Sequence, residues 1–91
     1  IDRLVSNEDG SLTIVEIKNR ANYLFKTVRD YEELQCQTYM EMLNIDTCKL
    51  IEQYNDQMCT HLIQRKKEEW DSVVLPKLKN FCEHFHSLLS T

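Results

Sequence analysis

One glycine punctuates the 91-residue chain, and it closes the run Asn7-Glu8-Asp9-Gly10 between two short β-branched segments. Turn-forming residues flanked by Ile, Val, Leu and Thr predict a β-hairpin. Its strands are residues 1–6 (IDRLVS) and 11–18 (SLTIVEIK). A three-residue loop at 8–10 predicts a type I turn with Gly10 left-handed in a G1 bulge. Position 7 then faces 11, and the same register sets Asp2 opposite Glu16. Both strands carry apolar residues on both faces, the pattern of central strands.

Downstream, residues 19–26 (NRANYLFK) form a connector of unassigned structure. Thr27 with Asp30 resembles a capping box and is expected to open a helix running to about Leu43. Its apolar positions, Val28, Tyr31, Leu34, Tyr39, Met42 and Leu43, recur at helical spacing, and Asn44 and Asp46 end it. Two further strands, 47–54 (TCKLIEQY) and 58–65 (MCTHLIQR), flank an Asn55-Asp56-Gln57 turn. A last helix starts near Lys67, with Trp70, Val73, Val74, Phe81, Phe85 and Leu88 as its expected buried stripe. Pro76 should kink or restart it. The order β-β-α-β-β-α predicts an α/β fold, a mixed sheet flanked by helices, in one domain. The start at Ile1, with a functional-looking aspartate next to it, reads as an excerpt of a longer protein.

The formal charge of −4 has the wrong sign for a module that coats nucleic acid. It counts less against a nuclease, whose carboxylates cluster around a metal. Four cysteines, Cys36, Cys48, Cys59 and Cys82, include no CxxC pair. The expectation is free thiols in a reducing, intracellular compartment, with neither disulfide nor zinc. No apolar run reaches membrane-spanning length.

The chemistry-bearing feature lies on the second strand. Side chains 12, 14, 16 and 18 share one face, and there Leu12 and Ile14 give way to Glu16 and Lys18. Charge at the end of an apolar strand is costly to bury without compensation. A divalent cation supplies it, and Asp2 across the hairpin adds a second carboxylate. Asp2, Glu16 and the carbonyl of Ile17 would ligate Mg²⁺ or Mn²⁺. Lys18 would hold the attacking water or stabilise charge on a phosphate undergoing attack. A structural salt bridge is the plainer alternative, because Glu-x-Lys on a strand is common. Gln35 falls within the apolar face of the first helix, either capping buried backbone or reaching the metal site. Gln37 points about 180° away and is the second candidate.

Other residues have plain readings beside the functional ones. Cys82 and His86 stand four apart on a helix, but two ligands do not complete a zinc site. His61 and His84 lack sequence partners. Arg65-Lys66-Lys67 reads as a solvated junction or a phosphate contact. Tyr23, Phe25 and Lys26 either line DNA or pack onto the core.

IDRLV followed by VEIK after a hairpin resembles the signature of the PD-(D/E)xK nucleases, with Ile1 where many members carry proline. Gln35-Cys36-Gln37-Thr38-Tyr39-Met40 is similar to the QxQxxM helix motif of the lambda-exonuclease/YqaJ viral-recombinase (alkaline exonuclease) family. Ile63-Gln64-Arg65, Trp70, Pro76-Lys77-Leu78 and Phe81 continue the likeness. The resemblance implies the C-terminal part of a restriction-endonuclease-like core and Mg²⁺- or Mn²⁺-dependent exonuclease action on duplex DNA ends in recombination. Asp2, Glu16, Lys18, Gln35 and Gln37 would be its site residues. It further implies an upstream acidic helix, a single-strand annealing partner, a trimeric ring and a viral protein working in a host cell. An isolated fragment of such an enzyme is expected to be inactive. The rival expectation is a nuclease-fold domain without activity that binds DNA or protein.

Overall fold

The computed structural model describes residues 1–89. Strands β1 (Arg3–Ser6) and β2 (Leu12–Asn19) are followed by helix α1 (Asp30–Leu43), then by β3 (Thr47–Tyr54) and β4 (Gln57–Gln64). Helix α2 (Lys67–Glu69), a π-helical turn (Trp70–Val74) and α3 (Leu75–Leu89) complete the chain. The sheet order is β1-β2-β3-β4. β2 and β3 are parallel, joined by the crossover that contains α1, and the outer pairs are antiparallel. The fold is mixed α/β.

The hairpin forms as its turn chemistry dictates. Gly10 has φ +86° and donates its N–H to the Asn7 carbonyl at 3.0 Å, and Asn7 N–H bonds the Ser11 carbonyl at 2.8 Å. Asp9 Oδ1 ties the loop by accepting from both Ser11 N–H and Ser11 Oγ. A Cβ at Gly10 would meet nothing within 4 Å, so only the backbone opposes substitution. Gly10→Ala should therefore cost about 1 kcal/mol, and Gly10→Asn less, in urea unfolding. An alanine variant as stable as wild type would contradict this reading.

Arg3↔Val15 and Leu4↔Ile14 set the register of β1 on β2. β1 is an edge strand, exposed along its whole length, and not the central strand its composition suggested. The core lies under α1, where Ile14, Cys48, Leu50 and Ile63 of the sheet meet Cys36, Met40 and Ile45.

α1 begins later than expected, at Asp30 and not near Thr27. Glu32 caps it by accepting the Arg29 N–H at 3.1 Å. Its inward face also differs from the expected one. Glu32, Cys36, Gln37 and Met40 are buried, whereas Tyr31, Leu34, Met42 and Leu43 are exposed. Asn44, left-handed at φ 56°, ends the helix where the sequence places its stop. At the β3–β4 hairpin Tyr54 pairs with Gln57, so the turn is Asn55-Asp56 and Gln57 already belongs to β4.

Around Pro76 the final helix changes its winding, and regular α3 starts at Leu75, directly after the π-helical stretch. The π turn bonds Leu75 N–H to the Trp70 carbonyl, and this wider turn accommodates a ring that has no N–H to donate. The expected buried stripe is largely open: Val73, Phe81, Phe85 and Leu88 are all exposed, and Trp70 and Val74 are half-buried. Among the described residues no helix is long and apolar enough to cross a membrane.

Candidate functional site

At the C-terminal end of β2 the hairpin ladder ends at Arg3↔Val15, and Asp2 lies just beyond it, outside β1. Asp2 N–H bonds the Val15 carbonyl at 3.2 Å, and the Asp2 carboxylate accepts the Ile17 N–H at 2.7 Å. A strand residue directs its N–H and C=O to the same neighbouring strand, so the Ile17 carbonyl faces the edge that Asp2 occupies.

Glu16 is only 4 % exposed. Its Oε2 lies 3.7 Å from Lys18 Nζ, and its Oε1 lies 3.0 Å from the Ile1 amino group. That second approach is an ion pair with the chain's first amino group. Among the described residues Oε1 has no partner besides that amino group, whose affinity for its proton is raised by the contact. Lys18 Nζ also donates to Gln35 Oε1 at 2.8 Å, and Gln35 Nε2 donates to the Tyr39 hydroxyl at 3.0 Å. One turn of α1 thus fixes the lysine through glutamine and tyrosine. The sequence reading did not weigh Tyr39 for this role, although its i, i+4 spacing from Gln35 is visible in sequence.

The structure joins Glu16, Lys18 and Gln35 in one chain of contacts and sets the Asp2 carboxylate on the neighbouring Ile17 N–H. Gln37 is elsewhere, 6 % exposed. Its amide donates to the Gln64 carbonyl and to Glu33, and its oxygen accepts the Lys66 N–H. It ties α1 to the exit of β4, a position that follows from the 200° between residues two apart on a helix.

A second polar assembly adjoins the first, because Lys18 pairs with Glu52 across β2 and β3. Arg20 reaches Glu32 through both terminal nitrogens, at 2.8 and 3.1 Å, and Glu52 through Nε at 3.0 Å. Glu52 also accepts the N–H groups of Phe25 and Lys26 and contacts His61 Nε2 at 2.8 Å. Burial pushes the Glu52 carboxyl up, but the hydrogen bonds from His61, Arg20 and Phe25 N–H prevail and hold it down at about 2. Glu32 follows the same logic: burial raises it, and Arg20 with the Arg29 N–H brings it below the usual range. The Phe25 ring stacks against both Arg20 and Arg29, at 3.9 and 4.3 Å from the guanidinium carbons. Phe25 thus packs into this assembly, while Tyr23 is exposed.

The basic run after β4 is engaged in ion pairs. Arg65 binds Glu41 at 2.7 Å, Lys66 binds Glu33 at 3.2 Å, and Lys67 lies within 4 Å of Glu41 and Asp71. Cys36 and Cys48 are free and buried in the core, Cys59 is free and half-buried, and Cys82 is free and exposed.

No family model matches the chain, and no curated protein matches it. Among solved structures it is similar to the crystal structure of SSO0001, with a TM-score of 0.56 and 19 % identity. The match covers 68 % of this chain and 30 % of that one. What this likeness shows is the fold.

Proposed function

We propose that the chain is the metal-binding part of a Mg²⁺- or Mn²⁺-dependent deoxyribonuclease of the PD-(D/E)xK type, acting on the ends of duplex DNA. The observation that carries the reading is the buried carboxylate of Glu16, whose Oε1 meets, among the described residues, only the Ile1 amino group, at a strand end that also holds Lys18. A carboxylate buried at a strand end needs positive charge beside it, and a divalent ion would supply more than one amino group does. The donor set suits a hard one, since Asp2 and Glu16 supply carboxylates and Ile17 a carbonyl.

When bound there, the ion would supply Lewis acidity and a water acidified towards neutral pH. The protein's own contribution centres on Lys18. Held between Gln35 Oε1 and Glu16 Oε2, its ammonium is directed and cannot swing freely. It would donate to the attacking water or to a non-bridging phosphate oxygen as negative charge grows there. Gln35 and Tyr39 would act by positioning that lysine.

The test uses the full-length parent protein on linear duplex DNA. Cleavage should require Mg²⁺ or Mn²⁺, stop with chelator, and be lost in Asp2→Asn. Binding of duplex ends without cleavage under any of these metals would favour the inactive binding platform instead.

A further inference from the structure

We propose that Glu52, Cys59 and His61 form a second metal site, selective for a zinc-class ion and separate from the centre at Glu16. This inference does not depend on the nuclease reading.

The site follows from strand register. Glu52 pairs with Cys59 and Leu50 with His61 across β3 and β4. Residues 59 and 61 alternate with 60, so Cys59 and His61 project from the same face of β4, which Glu52 shares. His61 Nε2 lies 2.8 Å from Glu52 Oε1 and 3.5 Å from Cys59 Sγ, and the three atoms all lie within 4.8 Å of one another. For Zn²⁺ with the usual bond lengths, tetrahedral ligand-to-ligand edges are roughly 3.3–3.6 Å. The sulfur–nitrogen edge already has that length, and the nitrogen–oxygen edge needs to open by about half an ångström.

A hydrogen bond joins His61 to Glu52, and Cys59 Sγ lies in contact with the same ring nitrogen. A single ring nitrogen carries either one proton or one lone pair. If Nε2 donates to Glu52, it has no second proton for the sulfur. If it accepts from the Cys59 thiol, its lone pair faces a carboxylate. A cation among the three takes a lone pair from each. Imidazole and thiolate favour zinc over the hard ions suited to Asp2 and Glu16.

The surroundings are consistent with this. Glu52 would keep its bonds from Arg20 Nε and from the Phe25 and Lys26 N–H groups, partners that orient a ligating carboxylate. Charge also balances, because Glu32, Glu52 and a Cys59 thiolate oppose Arg20 and a divalent ion. Half-buried Cys59 and His61 leave the cluster within reach of solvent. The residues escaped motif reading because Cys59-x-His61 is strand spacing, and its third ligand comes from the neighbouring strand.

Cobalt titration of the metal-free, reduced chain tests the proposal. Co²⁺ should bind in equimolar amount and give tetrahedral visible bands together with a near-ultraviolet sulfur-to-cobalt charge-transfer band, all displaced by Zn²⁺. Zn²⁺ should also raise the melting temperature of the wild-type chain. Cys59→Ser should abolish the charge-transfer band, His61→Ala should weaken binding at least tenfold, and Cys82→Ser should change neither. Circular dichroism of the variants would confirm that they fold. No charge-transfer band in folded wild type overturns the proposal. So does a band that survives Cys59→Ser, or one that disappears in Cys82→Ser.

Discussion

Arg20→Leu should destabilise the domain by about 3–5 kcal/mol, measured as a fall in the urea midpoint at unchanged slope. A domain typically has a total stability of about 5–15 kcal/mol, so the variant should lose a large share of it. The reason is the company Arg20 keeps. Glu32 and Glu52 are both fully buried, and Arg20 is the guanidinium that holds both. Removing it leaves two carboxylates in the interior, with backbone N–H groups and His61 as their remaining donors. Arg20→Lys should recover only part of the loss, because a point charge cannot reach Glu32 through two nitrogens while a third serves Glu52. The connector should loosen as well, since Phe25 stacks on the same guanidinium. Loss of less than about 1 kcal/mol in Arg20→Leu would mean that the assembly behaves like an exposed salt bridge, against its burial.

The hairpin was legible because its information is local. Gly10, Asp9 and Asn7 specify a turn, and the turn specifies the register that pairs Arg3 with Val15 and Ser6 with Leu12. The buried face of α1 was not legible in the same way. Apolar spacing pointed to Tyr31, Leu34 and Met42, yet the helix turns Glu32, Cys36 and Met40 inward. A glutamate can occupy the core only because Arg20, twelve residues earlier, and the Arg29 N–H satisfy it. Hydropathy assigns polarity to a residue and not to a satisfied pair. Glu52 carries the same local signal as Glu16, a charge beside Leu50 and Ile51 on a core strand. Its partners Arg20 and Phe25, 32 and 27 residues away, are what the sequence could not connect to it. The stripe on α3 was legible as a pattern, but periodicity cannot say whether a face is covered, and here Phe81 and Phe85 are exposed.

Glu16→Gln and Lys18→Ala should separate metal holding from charge stabilisation in the full-length protein. Glutamine keeps the shape of Glu16 and removes the charge that would neutralise a cation, so cleavage of linear duplex DNA should fall by orders of magnitude. Folding should survive, because glutamine fills the same space and its side-chain oxygen can still accept from Lys18, although the ion pairs to Lys18 and the Ile1 amino group are lost. Lys18→Ala should cut the rate by about 10²–10³-fold and leave Mg²⁺ affinity nearly unchanged, since the ammonium is no ligand. Its removal also frees Gln35 Oε1, so Gln35→Ala should show a smaller rate loss than Lys18→Ala and little further loss in the double variant. Calcium should support DNA binding but little cleavage, its larger and looser shell positioning the water poorly. The result that sinks the assignment is a folded Glu16→Gln protein that digests DNA at the wild-type rate. Equal loss of metal affinity in both variants would instead make Lys18 a structural partner of Glu16 and remove it from the chemistry.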